Sequence, residues 1–109
     1  NAISSITGKN VLGFQADQLV KQGVTDSEAY LQVALDDLSD WKINHIAISI
    51  ECLNPKISPL IELMKENISK ICNVTLSDIG ITATSGEGLT AFGKGKGIQA
   101  ITIITVNKS

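Results

Sequence analysis

A stretch of small and polar residues near the C-terminus contains the residue types with the most specific chemistry. An apolar alternating run leads into Thr84, Ser85 and Glu87, and glycines then alternate with lysines over residues 93–97. Six of the nine glycines fall between positions 80 and 97, and glycine lets backbone N–H groups approach a ligand closely. Hydroxyls and backbone amides bind phosphate oxygens, and one carboxylate among them can hold a divalent cation. The pattern therefore indicates phosphate together with a metal ion.

Each part of this pattern also has a purely structural interpretation. Glu87 is either a Mg²⁺ ligand or an exposed loop acid, and residues 93–97 are either a phosphate-contacting loop or a tight turn that leads into the last strand. The glycines at 93, 95 and 97 do not have the spacing of a dinucleotide-binding motif, and no helix is predicted after them.

A second candidate group follows an earlier strand. Residues 45–53 alternate like a strand and end in a turn at residues 54–58, and residues 78–84 form another strand. If the two strands are parallel neighbours, their carboxyl ends open at the edge where α/β sheets bind ligands. Alternatively, this turn merely ends a strand and caps a helix. If the strands are parallel neighbours, the two turns frame a pocket that is lined by Cys52, Pro55, Lys56, Ile57, Ser58, Ala83, Thr84 and Ser85.

The elements that would position these side chains follow from apolar spacing and capping signals. Residues 1–8 are typical of the last turns of a helix that ends at Gly8. Residues 8–26 read as a loop, and strands are predicted at 45–53, 78–84 and 98–106. One helix is predicted from a capping box at Thr25, Asp26, Ser27 and Glu28, with Tyr30, Val33, Ala34, Leu38 and Trp41 at helical spacing. Another begins at Ser58 and Pro59, buries Leu60, Ile61, Met64, Ile68 and Ile71, and stops at Asn73.

This order of elements predicts an α/β (α+β) sandwich with helices on one face of a mixed sheet. The last strand, 98–106, is an almost continuous apolar run, which is typical of a strand covered on both faces. Because helices cover only one face, we expect subunits to pack sheet against sheet.

Composition limits the classes of function. The chain has 109 residues and a net charge of −2, so it forms one domain and has no basic patch for nucleic acid. It contains no arginine, and a phosphate-binding cation must therefore be lysine. Two separated cysteines and His45 cannot form a structural zinc site, and His45, at the start of a strand, is more typical of a surface or capping residue than of a base. The acidic residues Asp36, Asp37 and Asp40 are expected on a solvated helix face.

These motifs resemble those of 2-C-methyl-D-erythritol 2,4-cyclodiphosphate synthases, a family of the non-mevalonate isoprenoid pathway. Residues 54–56 stand at the family's A-P-K turn, residues 83–89 at its A-T-T-T-E-x-L segment, and residues 93–98 at its G-R-G-x-G-I. Asp26 and Ser27 also look like the family's residues before its first full helix. The likeness covers residues 23–106 and corresponds to the family's C-terminal two-thirds.

The resemblance implies a phosphorus–oxygen lyase that acts as a homotrimer, with sites between subunits and with divalent metals, zinc and magnesium or manganese. The substrate's 2-phosphate attacks its cytidine diphosphate, which gives a cyclic diphosphate and CMP. By position, Thr84 and Ser85 contact phosphate, Glu87 binds Mg²⁺, and Lys94 replaces the family's substrate-binding arginine. The resemblance also implies a bacterial cytoplasmic or plastid protein. The cytosine pocket would comprise Cys52, Pro55, Lys56, Ile57, Ser58 and Ala83.

The departures from the family pattern lie toward the N-terminus. The family's zinc-binding D-x-H and its later histidine have no counterpart, and Val11 stands at the family's ribose-binding acid. We expect 1–109 to be a single domain that lacks the family's N-terminal third. The alternatives are a non-catalytic trimeric cytidine-nucleotide-binding module that has lost its zinc and a ferredoxin-like interaction domain without a ligand.

Overall fold

The computed structural model describes residues 1–8, 21–23 and 27–108. The described residues thus leave out most of the predicted loop over 8–26. They also leave out Val11 and the capping residues Thr25 and Asp26. These residues include the helices α1 (Ala2–Thr7), α2 (Ser27–Asp36) and α3 (Ile61–Cys72). They include the strands β1 (Trp41–Glu51), β2 (Ile79–Thr84) and β3 (Gln99–Lys108). Single 3₁₀ turns span Ser58–Leu60, Leu76–Asp78 and Gly86–Gly88.

The three described strands form one mixed sheet in the order β2-β1-β3. β1 pairs with β2 in parallel and with β3 in antiparallel fashion. The parallel pair needs a crossover connection, which α3 supplies. The predicted mixed sheet, and the predicted neighbourhood of its first two strands, are confirmed.

β1 begins at Trp41 and not at the predicted His45, and His45 lies within the strand, exposed. Its register shifts between Ile43 and His45, so one extra residue interrupts the alternation, as in a β-bulge. Trp41 and Ile43 therefore pack with the helices although they are out of phase with the buried Ile46. The predicted helix up to Trp41 is wrong, because α2 ends at Asp36 and a turn leads into β1, with the Trp41 N–H bonded to the Leu38 carbonyl at 2.9 Å.

α3 covers one face of the parallel strand pair. Its side chains Ile61, Met64 and Ile68 pack against a core whose buried members are Ile46, Ile50, Cys52, Val74, Ile79 and Ile81. Each fully buried isoleucine contributes about 1.5–3 kcal/mol. Leu60, predicted in the buried stripe, is instead exposed, because it ends the 3₁₀ turn before the helix.

The ends of the helices follow the predictions in part. Asn73 adopts a left-handed conformation and ends α3, and Gly8, with φ 72°, ends α1, both as expected. Ser58 is not a cap, since it is the first residue of the 3₁₀ turn, and Ile57 at the cap position makes no side-chain hydrogen bond.

α1 and α2 share a second cluster whose buried members are Ile3, Ala34 and Leu38.

The face of the sheet opposite the helices is open within one chain. Ile101 and Ile103 of β3 are 55% and 67% exposed. The expectation that both faces of this strand are covered is therefore not met by the single chain, because nothing in the described residues packs on that side; coverage by another subunit stays a prediction. No helix in the described part of the chain is long and apolar enough to span a bilayer.

Candidate functional site

The carboxyl ends of β1 and β2 lie side by side. Glu51 and Thr84, the last residues of the two strands, are register partners. The Cys52 N–H donates to the Thr84 carbonyl at 3.0 Å and extends the ladder by one residue. Since the strands are parallel, the turns that carry Lys56 and Glu87 leave the sheet at the same edge, as predicted from the sequence.

The first of these turns combines a buried anchor with exposed polar groups. Cys52 is buried, and its Sγ–H donates to the Pro55 carbonyl at 3.5 Å. The Asn54–Pro55 peptide bond is cis. Lys56 and Ser58 are exposed and Ile57 is half-buried, so the turn presents an ammonium group and a hydroxyl above an apolar floor.

The second turn presents hydroxyls and a carboxylate. The Thr84 hydroxyl accepts the Gly86 N–H at 2.9 Å and fixes the start of the turn. Thr84 and Ser85 are exposed, and so is Ala83. Glu87, also exposed, has a left-handed φ of 54°. A cation held there would meet one carboxylate and the phosphate oxygens of a substrate, which suits Mg²⁺.

A third segment, residues 89–97, packs against both turns. The Leu53 N–H donates to the Phe92 carbonyl at 3.1 Å, which ties the segment to the end of β1. Gly93 is buried, and a Cβ there would come closer than 3.0 Å to the Ser85 carbonyl oxygen. Lys94 follows directly and is exposed. The structure thus brings Lys94 to the same edge as the other predicted side chains, on a segment of successive turns that leads into β3.

One residue of this edge was missed from the sequence. The Glu51 carboxylate accepts a hydrogen bond from the Thr90 hydroxyl at 2.7 Å. In the sequence Glu51 is only the last polar residue of an alternating strand. The sequence signals a role for Glu51 only by its position next to the first turn. Its partner Thr90 lies 39 positions away in the chain, so the sequence does not show the contact.

Metal-ligand clusters are not found in the described residues. No group of three or more His, Cys, Asp or Glu side chains comes close enough to hold a metal ion in residues 1–8, 21–23 and 27–108. These residues do not fit a zinc site, which needs at least three protein ligands. They fit Mg²⁺ better, because that ion takes one or two carboxylates and shares the remaining positions among phosphates and water.

An apolar cleft lies elsewhere. A cavity of about 380 Å³ opens on the helix side of the sheet, and the side chains that line it include Tyr30, Ile46, Ile68 and Cys72. Its lining contains no Lys, Asp or Glu, so it is unsuited to a phosphate ligand. Burial raises the pKa of the Cys72 thiol, because desolvation disfavours the thiolate. The strand ends are therefore the better candidate site despite their exposure.

Comparisons with known proteins identify the family to which the chain is similar. The model of the YgbB family matches residues 1–107. The 2-C-methyl-D-erythritol 2,4-cyclodiphosphate synthase of Chlamydia trachomatis serovar L2b is 45% identical over 108 residues, which are 97% of this chain and 61% of that protein. The chain thus spans less than two thirds of the length of the curated relatives it matches.

Solved structures share the fold. The bifunctional IspDF of Campylobacter jejuni has a TM-score of 0.87 at 21% identity and covers 99% of this chain, which in turn covers 30% of it. A CDP complex of IspF from Plasmodium falciparum has a TM-score of 0.73 at 23% identity, with 97% of this chain and 69% of that one covered.

Proposed function

The chain belongs to the YgbB family, and we propose that it carries the cytidine- and phosphate-binding part of a cyclodiphosphate synthase. The substrate is 4-diphosphocytidyl-2-C-methyl-D-erythritol 2-phosphate, and the products are 2-C-methyl-D-erythritol 2,4-cyclodiphosphate and CMP. The observation that carries this proposal is the hydrogen bond of 3.0 Å between the Cys52 N–H and the Thr84 carbonyl. It holds a lysine-bearing turn and a glutamate-bearing turn at one edge.

The two turns divide the ligand between them. Cys52 and Ala83 form the floor of a cytosine pocket, and residues 55–58 form its rim. Thr84 and Ser85 donate their hydroxyls to the phosphates. Lys94 adds a positive point charge, as lysine does in the absence of a guanidinium fork.

The reaction needs alignment more than a protein nucleophile. An oxygen of the substrate's 2-phosphate attacks the diphosphate phosphorus that is farther from cytidine. The bond from that phosphorus to the bridging oxygen breaks, and CMP leaves with the electron pair. The hydroxyls and Lys94 hold the two anionic groups within reach and offset their repulsion, which is how positioning and charge stabilisation lower such barriers. A Mg²⁺ held by Glu87 would neutralise phosphate charge when bound.

We propose further that the working assembly is a homotrimer. Its subunits would pack through the open sheet face that carries Ile101 and Ile103, whose exposure of 55% and 67% is unusual for two isoleucines on one strand. One subunit would supply the cytosine pocket together with Glu87, and its neighbour would supply further metal-binding groups.

The test uses the full-length protein with its substrate and Mg²⁺, and ³¹P NMR to follow the cyclic diphosphate and CMP. Glu87→Ala is expected to abolish Mg²⁺-dependent turnover and to spare CMP binding measured by calorimetry. Glu62→Ala, which removes an exposed acid from α3, is the matched control and keeps full turnover. Turnover by Glu87→Ala at the wild-type rate contradicts the role of this carboxylate, and a wild-type protein that binds CMP without turnover contradicts the synthase proposal.

A further inference from the structure

A carboxylate outside the proposed substrate contacts connects the strand end to the glycine-rich segment. Glu51 is the last residue of β1 and is half-buried. Its Oε1 accepts the Thr90 hydroxyl proton at 2.7 Å. A short hydrogen bond from a hydroxyl to a carboxylate is one of the stronger side-chain contacts.

The Thr90 hydroxyl transmits the position of Glu51 to the next turn. A threonine hydroxyl has one proton and two lone pairs. Its proton goes to Glu51, and its oxygen accepts the Gly93 N–H at 3.0 Å. The Thr90 carbonyl accepts the Lys94 N–H, also at 3.0 Å. Both residues of the Gly93–Lys94 pair are therefore placed by Thr90, and Thr90 is placed by Glu51.

The same carboxylate also contacts the turn that carries Glu87. A Cβ on Gly86 would overlap the Glu51 Oε1, so the carboxylate fills the space beside that glycine. A Cβ on Gly93 would overlap the Ser85 carbonyl and approach the Gly88 Cα at 3.1 Å. The segment that carries Lys94 thus rests directly on the turn that carries Ser85 and Glu87.

We propose that Glu51, through Thr90, is a positioning residue that fixes Lys94 relative to Ser85 and Glu87 for the phosphate step. This role rests on the proposed function. In this proposal Glu51 makes no contact with the substrate, and residues 55–58 of the cytosine pocket take no part in the Glu51–Thr90–Gly93 link. Loss of the Glu51–Thr90 link is therefore expected to slow the reaction of the phosphates and to leave the binding of cytidine monophosphate unchanged.

The variants separate the hydrogen bond from the shape of the side chain. Thr90→Val removes the hydroxyl at nearly constant volume, Thr90→Ser retains it, and Glu51→Ala removes the acceptor. The matched control is Thr82→Val, since the Thr82 hydroxyl also bonds a β1 side chain, that of Ser49, at 3.5 Å. We expect Thr90→Val and Glu51→Ala each to lower kcat by about tenfold or more, the effect of losing a hydrogen bond to a charged group. Thr90→Ser restores kcat, and Thr82→Val does not change it.

Three measurements decide the matter: kcat from ³¹P NMR, the Kd for CMP from calorimetry, and amide hydrogen exchange of residues 85–97 in the protein without ligand. Faster exchange at Gly93, lower kcat and unchanged CMP affinity in Thr90→Val support the role. A double variant, Glu51→Ala with Thr90→Val, is expected to be no slower than either single variant, because both break one link.

Several results overturn the role. In Thr90→Val these are an unchanged exchange rate at Gly93, an unchanged kcat, or a CMP affinity that falls as much as kcat does. In the double variant the contradicting result is a fold-loss of kcat equal to the product of the two single fold-losses. Each of them leaves the proposed function intact if the wild-type protein converts the substrate. A wild-type protein that binds no cytidine nucleotide refutes the proposed function itself and this role with it.

Discussion

Replacement of Gly93 by alanine tests whether the glycine-rich segment must rest on the Ser85 turn. Gly93 is buried, and an added Cβ would come within 3.0 Å of the Ser85 carbonyl oxygen and lie 3.1 Å from both N and Cα of Gly88. All of these atoms belong to the backbone, so no side chain can swing away. The alanine variant must therefore move one turn off the other.

The cost follows from two terms. Overpacking of this kind destabilises by about 1–3 kcal/mol. Displacement also weakens the 3.0 Å bond from the Gly93 N–H to the Thr90 hydroxyl, which is worth about 1 kcal/mol. We expect Gly93→Ala to lower the free energy of unfolding by about 2–4 kcal/mol and to lower kcat, because Lys94 moves with the segment.

The assay is urea denaturation at one protein concentration, together with turnover followed by ³¹P NMR. Gly97→Ala is the matched control in the same segment, since its Cβ would lie 3.6 Å from Phe92 Cδ1, an ordinary contact. This control is expected to unfold and to turn over as the wild type does. Equal unfolding energies and equal rates for the two alanine variants would show that the packing of the two turns is unimportant.

Two further predictions concern the open sheet face and the half-buried thiol of Cys72. If the proposed trimer packs through this face, Ile101→Asp together with Ile103→Asp is expected to dissociate it in analytical ultracentrifugation. Leu63→Asp on α3, an exposed leucine, is expected to leave its mass unchanged. Burial raises the pKa of the Cys72 thiol above its ordinary value. The protonated thiol therefore contributes its full stabilisation of the folded protein at a pH below the pKa of the unfolded thiol. This stabilisation is lost as the pH rises through the pKa of the folded thiol. Cys72→Ala is expected to unfold with a weaker alkaline dependence than the wild type, and an identical pH profile would contradict this reasoning.

Local signals in the sequence were sufficient for much of the fold. Asparagine after a helical stripe and glycine after a short helix both take the left-handed conformation, a preference that depends on one residue and its neighbours. The strand that ends at Thr84 was also recognisable, because Ile79 and Ile81 alternate with small residues and both are buried.

The first part of β1 was not predictable in the same way. Trp41 and Ile43 share a face, as do Ile46 and Ile50, but the two pairs are out of phase across the bulge. Trp41 stands three residues after Leu38 and continues the helical spacing of the preceding apolar residues, so the pattern predicts that it belongs to the helix. Only the pairing with β3, which lies some sixty residues later in the chain, fixes the register.

The candidate site shows the same division between local and distant information. Lys56 and Glu87 were found because each stands in a turn directly after a strand, where a side chain without a packing role is conspicuous. Glu51 was not found, because its partner Thr90 is brought to it by the sheet and by the packing of two glycine turns. The residues expected to contact a ligand are thus signalled by the local pattern, whereas the residue expected to position them is revealed only by the fold.

The backbone at Glu87 gives a separate reason to assign a ligand to that carboxylate. Gly86, Glu87 and Gly88 have successive φ values of 60°, 54° and 75°, and a residue with a Cβ pays about 1–2 kcal/mol for this conformation. At Asn73 the same conformation ends a helix, for which asparagine is suited. No such role exists at Glu87, whose flanking glycines already form the turn and whose exposed side chain has no packing role. A strained acid that the fold does not require supports the proposal that the Glu87 carboxylate, beside Thr84 and Ser85, binds a cation shared with phosphate.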